Sequence, residues 1–427
     1  MPTASPTRES LGRLAAARPV VELAAALEKH GAATASGLWG SSVGAVAATL
    51  HSSMRRPVLL VCGHVDESDD IADDIELFLG TRPDVLPALE LSGAFGSASE
   101  EQVANRMQLV ARLAGLDDPK QGGRGVPTSV GMPEMPFIVA PVQALMQPVP
   151  SKSQLDQLIR TIRKGQSLEP EKLIVWLSEH GYNRLDQVEV PGDFAVRGGI
   201  IDVYIPGEFE QAGDQVGLTV RFDFFGDEVE SIRTFDLSTL GSGQTLDQVR
   251  LIDLRGKFDD YESTLLLGHL PENTLVVLWA PLEIAEQAKS YLDRLPESVK
   301  GIYPLAAILR AADRFARVEL SQFDSAGVAI HSLVDKHRDV PRVRLPIRSI
   351  QKFETVAKEA LKELAEIAQS ADVTVFCEND GERHRFTELL DADVPGLRKK
   401  LRLELGYLHH GFIWGEFSGD EEQGRKG

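Results

Sequence analysis

The chain has 427 residues, 43% of them hydrophobic and 26% charged, and carries a formal net charge of −19. That length predicts two to four domains, and that composition predicts a globular chain, not a disordered one. Phosphate backbones are held by clustered Lys and Arg that release counterions, and the longest basic run is Arg398-Lys399-Lys400, so strong direct nucleic-acid binding is disfavoured.

In chain order, Arg8 to His30 reads as an Ala/Leu-rich helix and Val43 to Ser53 as another, while Gly31 to Gly37 is a poor strand. Pro57 to Gly63 predicts a short buried strand. Asp66 to Gly80 predicts a helix, with acids early and Gly at its end. Asp84 to Pro87 is a weak strand, and Ser99 to Ala114 is a helix that Gly115 stops. Asp117 to Pro136 has no periodicity and reads as a surface loop. Phe137 to Ala140 is a strand running into the short helix Val142 to Met146, and this β-α alternation predicts a parallel α/β layer.

Pro148 to Ser151 is a candidate boundary, and Pro170 opens the helix Glu171 to His180. Four strands are predicted next: Leu185 to Val190, Ile200 to Tyr204, Arg221 to Phe225 and Val229 to Phe235. Pro191-Gly192-Asp193 separates the first two as a turn, and Gly226-Asp227 joins the last two as a hairpin. A second α/β stretch holds the strand Thr274 to Trp279 and the helix Pro281 to Leu295. Pro341 to Pro346 reads as a linker. Ser349 to Ser370 reads as an amphipathic helix with Phe353, Val356, Ala360, Leu364 and Ile367 on one face. The strand Val373 to Cys377, the helix Asp380 to Leu390 and the strand Leu401 to Leu405 complete a small α/β unit before a polar tail, predicted to be disordered.

No run of about 18 apolar residues suggests a membrane span, and the N-terminus lacks a signal-peptide core. Two distant cysteines, Cys62 and Cys377, fit a reducing cytoplasm, not a disulfide scaffold. The groupings Cys62-Gly63-His64 and His409-His410 lack metal-ligand spacing, so no metal is expected.

Two motifs could carry chemistry. The turn around Gly40, Ser41, Ser42 and Gly44 sits before a helix, where phosphate loops sit. It lacks the Lys and the following Ser/Thr that neutralise phosphate and hold Mg²⁺, so no nucleotide cofactor is expected. The same residues fit the G-x-S-x-G pattern of a serine hydrolase, with His331, His409 or His410 as unspecified partners. An ATPase or serine hydrolase built on this turn is therefore the catalytic alternative. Asp227-Glu228 lacks the apolar run of a helicase strand end and reads as a hairpin turn.

The other feature is charge on the β module: Arg184, Arg197, Arg221 and Arg233 among Asp186, Asp202, Asp223 and Glu230. Such a pattern is either a solvated face with weak ion pairs or a docking patch, since Arg is enriched at interface hot spots.

Gly181-Tyr-Asn-Arg-Leu-Asp-Gln-Val, Val196-Arg-Gly-Gly-Ile-Ile-Asp-Val-Tyr-Ile-Pro206 and Arg221 to Asp236 together resemble the UvrB-type interaction domain. The resemblance is closer still to the N-terminal UvrB-like region of bacterial transcription-repair coupling factors (Mfd). Leu86 to Glu90, Val139 to Leu145, Ile174 to Tyr182 and the unit from Ser349 to about Phe417 resemble its flanking segments. The implied fold is α/β: a degenerate RecA-like domain (1–147 and 254–340) interrupted by a β-rich interaction domain (148–253), then a small α/β domain (341–418) and a disordered tail (419–427). The implied partner is UvrA, bound through Arg184, Arg197, Arg221 and Asp223. Ala195 stands where UvrB has an arginine. The resemblance implies a non-enzymatic recruitment role in transcription-coupled nucleotide excision repair. The polymerase-interacting domain and translocase motor of that family have no counterpart in these 427 residues, so RNA polymerase and DNA are expected to be reached only through them.

Overall fold

The computed structural model describes residues 6–90, 100–115, 135–207, 217–237, 239, 241–255, 262–297, 299–324, 340–350 and 357–415. The chain opens with α1 (Pro6–Ala16), α2 (Arg18–His30), β1 (Ala32–Ser36) and α3 (Ser42–Met54). Then come β2 (Val58–Cys62), α4 (Val65–Leu79), β3 (Asp84–Val85), α5 (Glu100–Leu113), β4 (Phe137–Pro141) and α6 (Val142–Met146). The middle of the chain holds β5 (Val149–Pro150), α7 (Lys152–Leu158), β6 (Ile159–Arg163) and α8 (Pro170–Glu179). These lead into β7 (Asn183–Leu185), β8 (Asp193–Arg197), β9 (Ile200–Ile205), β10 (Leu218–Phe225), β11 (Glu228–Phe235), β12 (Ser242–Leu246) and β13 (Gln248–Ile252). After β14 (Ser263–Thr264) follow β15 (Leu275–Trp279), α9 (Pro281–Arg294), α10 (Leu305–Ala312) and β16 (Ala316–Leu320). Last are β17 (Arg342–Arg344), β18 (Ile347–Ser349), α11 (Ala357–Ser370), β19 (Val373–Cys377), α12 (Asp380–Asp393), β20 (Leu401–Leu405) and β21 (Phe412–Trp414).

Seven strands build one parallel sheet in the order β17-β1-β16-β15-β2-β4-β3. Its central strands are apolar throughout because helices cover both faces. Leu59, Val61, Ile138 and Val276 enter one core, and Leu60, Cys62, Val139 and Val277 enter the other, as period-2 alternation demands. Between β4 and β15 the chain leaves this sheet and builds a second one, ordered β12-β11-β10-β9-β8-β7 and antiparallel except at β7–β8. Phe194, Ile201, Val220, Phe222 and Ile232 form the buried side of that sheet. The mixed α/β class expected from the sequence is the one that forms. Both cysteines are buried and free, and no helix among the described residues is long and apolar enough to cross a membrane.

Several elements differ from the sequence expectation. The helix expected over 8–30 breaks at Ala17, which is extended (φ −67°, ψ 130°). Pro19 cannot donate to the preceding turn and would clash with it, so α2 starts afresh there. Gly31 to Gly37 contains a true strand, β1, although four of its five residues are Ala or Ser. Its ladders to β16 and β17, not its propensity, fix it. The linker expected at Pro341 to Pro346 contributes edge strand β17, where flanking prolines do no harm. Ser349 belongs to β18, paired with β21, so the long helix does not begin there. The Asp117–Pro136 loop (bar its last two residues), the polar tail, Phe353 and Val356 lie outside the described residues.

The strand expected at Leu185–Val190 ends at Leu185. The Asp193 carboxylate accepts the backbone N–H groups of Glu189 (3.1 Å) and Val190 (2.9 Å), folding them into a loop instead of a ladder. The strand missed in the sequence is β8, which starts at Asp193 itself.

At the ends of β2 and β15, Glu67 accepts Trp279 Nε1–H at 2.7 Å, while its other carboxylate oxygen is buried with no partner among the described residues. Burial raises the pKa of this carboxyl, and Glu283 repulsion adds to it. The folded chain thus holds this proton more tightly than the unfolded one. The ionised form weakens the fold at neutral pH, and that penalty fades as pH falls through the raised pKa toward 4.5. Glu67→Gln is expected to raise the thermal midpoint at pH 7.5 by about 2 °C, with the gap closing by about pH 4.5. An unchanged or lower midpoint at pH 7.5 would refute this.

Candidate docking face of the inserted sheet

The side of the inserted sheet away from its main core carries rows of charged residues beside a small buried cluster of Val188, Ala195, Tyr204 and Phe235. Register places Ala195, Asp202, Arg221 and Arg233 in one row, and Arg197, Ile200, Asp223 and Ser231 in the next. Arg221 and Arg233 are direct cross-strand neighbours, which would repel. Carboxylates on either side relieve this. Arg221 donates through Nε and one terminal nitrogen to both oxygens of Asp202, at 2.7 and 2.8 Å. Its guanidinium also lies 5.0 Å from the Phe235 ring centre. The Asp202 bond raises the Arg221 pKa, and Asp223 adds to this. Asp223 accepts the Ser231 hydroxyl and sits 3.4 Å from Arg233.

A groove of about 730 Å³ runs over this face, lined by Lys164, Arg221, Asp223, Glu230 and Arg233 among others. Gly199 forms its floor at a point where backbones touch: Phe224 N–H donates to its carbonyl at 2.7 Å, and a Cβ there would lie 2.9 Å from the Phe224 oxygen. Beyond the groove, β10 and β11 turn at Gly226 and Asp227, and the ring of Phe225 at this tip is 80% exposed.

The turn after β1 has a different geometry. The Ser42 hydroxyl accepts the Trp39 N–H at 3.0 Å, and Ser42 is fully buried at the start of α3. The Ser41 hydroxyl accepts the His410 N–H at 2.9 Å and donates to Asp74. His409 bonds that same carboxylate through its backbone N–H at 3.1 Å and its Nδ1 at 3.2 Å. The G-x-S-x-G nucleophile would be Ser42, whose buried hydroxyl is held by the Trp39 N–H, while the His409 ring is turned to the Asp70 and Asp74 carboxylates, whereas a nucleophilic serine needs the imidazole beside it. Gly44 packs against Asp74, with 3.1 Å available to a Cβ. His331 lies outside the described residues. Among the described residues no cluster of His, Cys, Asp or Glu is arranged to hold a metal ion.

Residues 161–254 match the family of the UvrB interaction domain. The chain carries a UvrB interaction domain. It is homologous to part of the transcription-repair-coupling factors: 31% identical over 217 residues to that of Bacillus subtilis, half of this chain and 16% of that protein. It is 31% identical over 247 residues to that of Myxococcus xanthus, covering 57% of this chain and 19% of that protein. With that of Escherichia coli it shares 23% identity over 448 aligned positions, covering 88% of this chain and 36% of that protein. The chain thus spans about a third of these relatives or less. The similarity supports a role in DNA repair.

Of the residues singled out in the sequence, Arg197, Arg221 and Asp223 share the outer face of the UvrB interaction domain. Arg184 does not. It pairs in parallel register with Phe194, whose ring is in the core, so it projects from the other side of edge strand β7. Arg197 is exposed and donates to the Asp186 carbonyl at 2.9 Å. Ala195 is buried with Val188, Tyr204 and Phe235, leaving no room there for an arginine without repacking. Sequence reasoning missed Phe225. The available signal was its place directly before the Gly226-Asp227 turn, where a strand runs out of neighbours.

Proposed function

We propose that this chain is a non-catalytic recruitment module of a transcription-repair coupling factor, binding UvrA through the outer face of its inserted sheet. The carrying observation is the match of residues 161–254 to the UvrB interaction domain, a segment whose outer face presents Arg197, Arg221, Asp223 and the exposed ring of Phe225. Arg184 contributes from the sheet edge. In this reading the domains fall at 1–147 with 254–340, 148–253 and 341–418, no cofactor is used, and the module works in the cytoplasm. RNA polymerase and DNA are engaged by other parts of such a factor. The burial of Ser42, with its hydroxyl held by the Trp39 N–H, and the engagement of the His409 ring by Asp70 and Asp74 weigh against the catalytic alternative.

Exposed aromatic anchors carry much of an interface's energy. Phe225→Ala is therefore expected to weaken UvrA capture about 30-fold, with Arg197→Ala adding to the loss and neither changing the unfolding midpoint by more than a degree or so. Isothermal calorimetry with purified UvrA reads this. If the parent chain does not bind UvrA, the function is wrong. If it binds and the double variant binds equally well, the face is wrong.

A further inference from the structure

The turn after β1 is occupied by the chain itself. The first N–H groups of a helix lack intrahelical acceptors and attract anions. At α3 the His410 carbonyl accepts the Ser41 N–H at 3.0 Å, and the His410 N–H returns a bond to the Ser41 hydroxyl. Gly40, at φ +55°, lies so close that a Cβ would sit 2.9 Å from the carbonyl oxygens of both His410 and Gly411. The backbone of 410–411 thus stands over the seat that a phosphate would need.

The segment carrying this backbone is fastened along its length. His409 donates its N–H to Asp74 at 3.1 Å, and its ring reaches Asp74 at 3.2 Å and Asp70 at 3.0 Å, with Asp73 at 4.0 Å. Leu408 and Phe412 pack with Leu11, Leu14, Ala45 and Phe78. Gly406, at φ +148°, lies against the Leu77 side chain. Before the segment, β20 pairs with β19 in the small C-terminal unit, and at its far end β21 pairs with β18, whose Ile347 sits in the core of the main sheet.

We propose that residues 406–414 form a strap that takes the place of a phosphate ligand at the start of α3 and thereby locks the small C-terminal unit to the α3–α4 layer. Nothing has to bind for this seat to be closed. The strap must lift before any phosphate could reach the Ser41 N–H.

Hydrogen exchange on the whole chain tests it. Gly40→Val, which inserts bulk beneath the strap, and His409→Ala, which removes its side-chain anchors, should each raise exchange in 406–414 and in 41–45 by about tenfold. Exchange in β8 to β11 should stay at the parent rate and report that the rest is folded. Adding ATP or inorganic phosphate to the parent should leave 41–45 unchanged. If both variants exchange like the parent in these two segments, or if ATP or phosphate alone protects 41–45, the proposal is overturned. Should Gly40→Val not fold, His409→Ala reads the same question without added bulk.

Discussion

Arg221→Ala is expected to destabilise the inserted sheet by about 3–5 kcal/mol. The Arg221 side chain is 19% exposed and that of Asp202 is 7% exposed. Removing the guanidinium leaves a buried carboxylate with its bidentate partner gone, and uncovers the Phe235 ring that the arginine spans. A surface pair would be worth about 1 kcal/mol or less, so the size of the effect discriminates. Urea unfolding of the single variant and of Arg221→Ala with Asp202→Ala decides it: the double variant should regain a good part of the loss, because the stranded charge is gone. A single-variant loss below about 1 kcal/mol would mean that solvent screens this pair. The result also governs how docking experiments are judged. Lost partner binding in Arg221→Ala reports a disturbed sheet, whereas Phe225 and Arg197 are exposed and test contact itself.

The second large effect lies at Arg106, which α5 carries into the interior, where it is 3% exposed. Its guanidinium donates to the carbonyls of Pro87 (2.8 Å), Ala144 (2.9 Å), Gln147 (2.9 Å) and Pro148 (3.4 Å). These carbonyls belong to segments outside regular ladders, so the planar five-donor fork holds them together where no strand can. Gln147 completes the junction: its amide bonds both the N–H and the C=O of Leu89 and reaches the Tyr291 hydroxyl. Arg106→Ala orphans several buried acceptors at once, at about 1–3 kcal/mol for each one left dry, and a total near 4 kcal/mol is expected. Arg106→Lys should recover less than half, since a single ammonium cannot span the set. Thermal and urea unfolding measure both. A lysine variant as stable as the parent would show that charge alone, not the fork, holds this junction.

Strands β2, β4 and β15 were legible because β-branched and Leu-rich runs of strand length, bounded by Gly and Pro, have few other fates. The β10–β11 hairpin was legible from alternation and its Gly226-Asp227 turn. β1 was not, because Ala-Ala-Thr-Ala-Ser carries almost no strand propensity and is recruited by the neighbours it lies between. β17 hid behind its prolines, which an edge position tolerates. β8 hid because Asp193 both closes a loop and begins a strand. At the candidate site, Arg221 and Asp223 were legible as i, i+2 residues on one face. That Arg184 faces the other way depends on a parallel β7–β8 pairing, which no local pattern announces. Phe225 escaped because an aromatic in a strand is ordinarily a core residue. Neither the strap nor its bonds to Ser41 could be read, since they join positions at opposite ends of the chain.

The insertion of one sheet inside another has a consequence for how the chain is made. β2 ends near the start of the sequence, yet one of its two ladder partners is β15, and Val58 pairs with Leu275. The whole six-stranded sheet is synthesised between them. While the ribosome works through it, the apolar flank of β2 that β15 will cover has no partner, and so stays exposed to other nascent chains. The inserted sheet is built largely from neighbouring strands, β8 to β12, with short loop closures, and can complete first. Its early closure brings the two ends of the insertion together and shortens the effective loop between β2 and β15. The order of events at birth is thus set by topology: the guest sheet closes, and only then can the host.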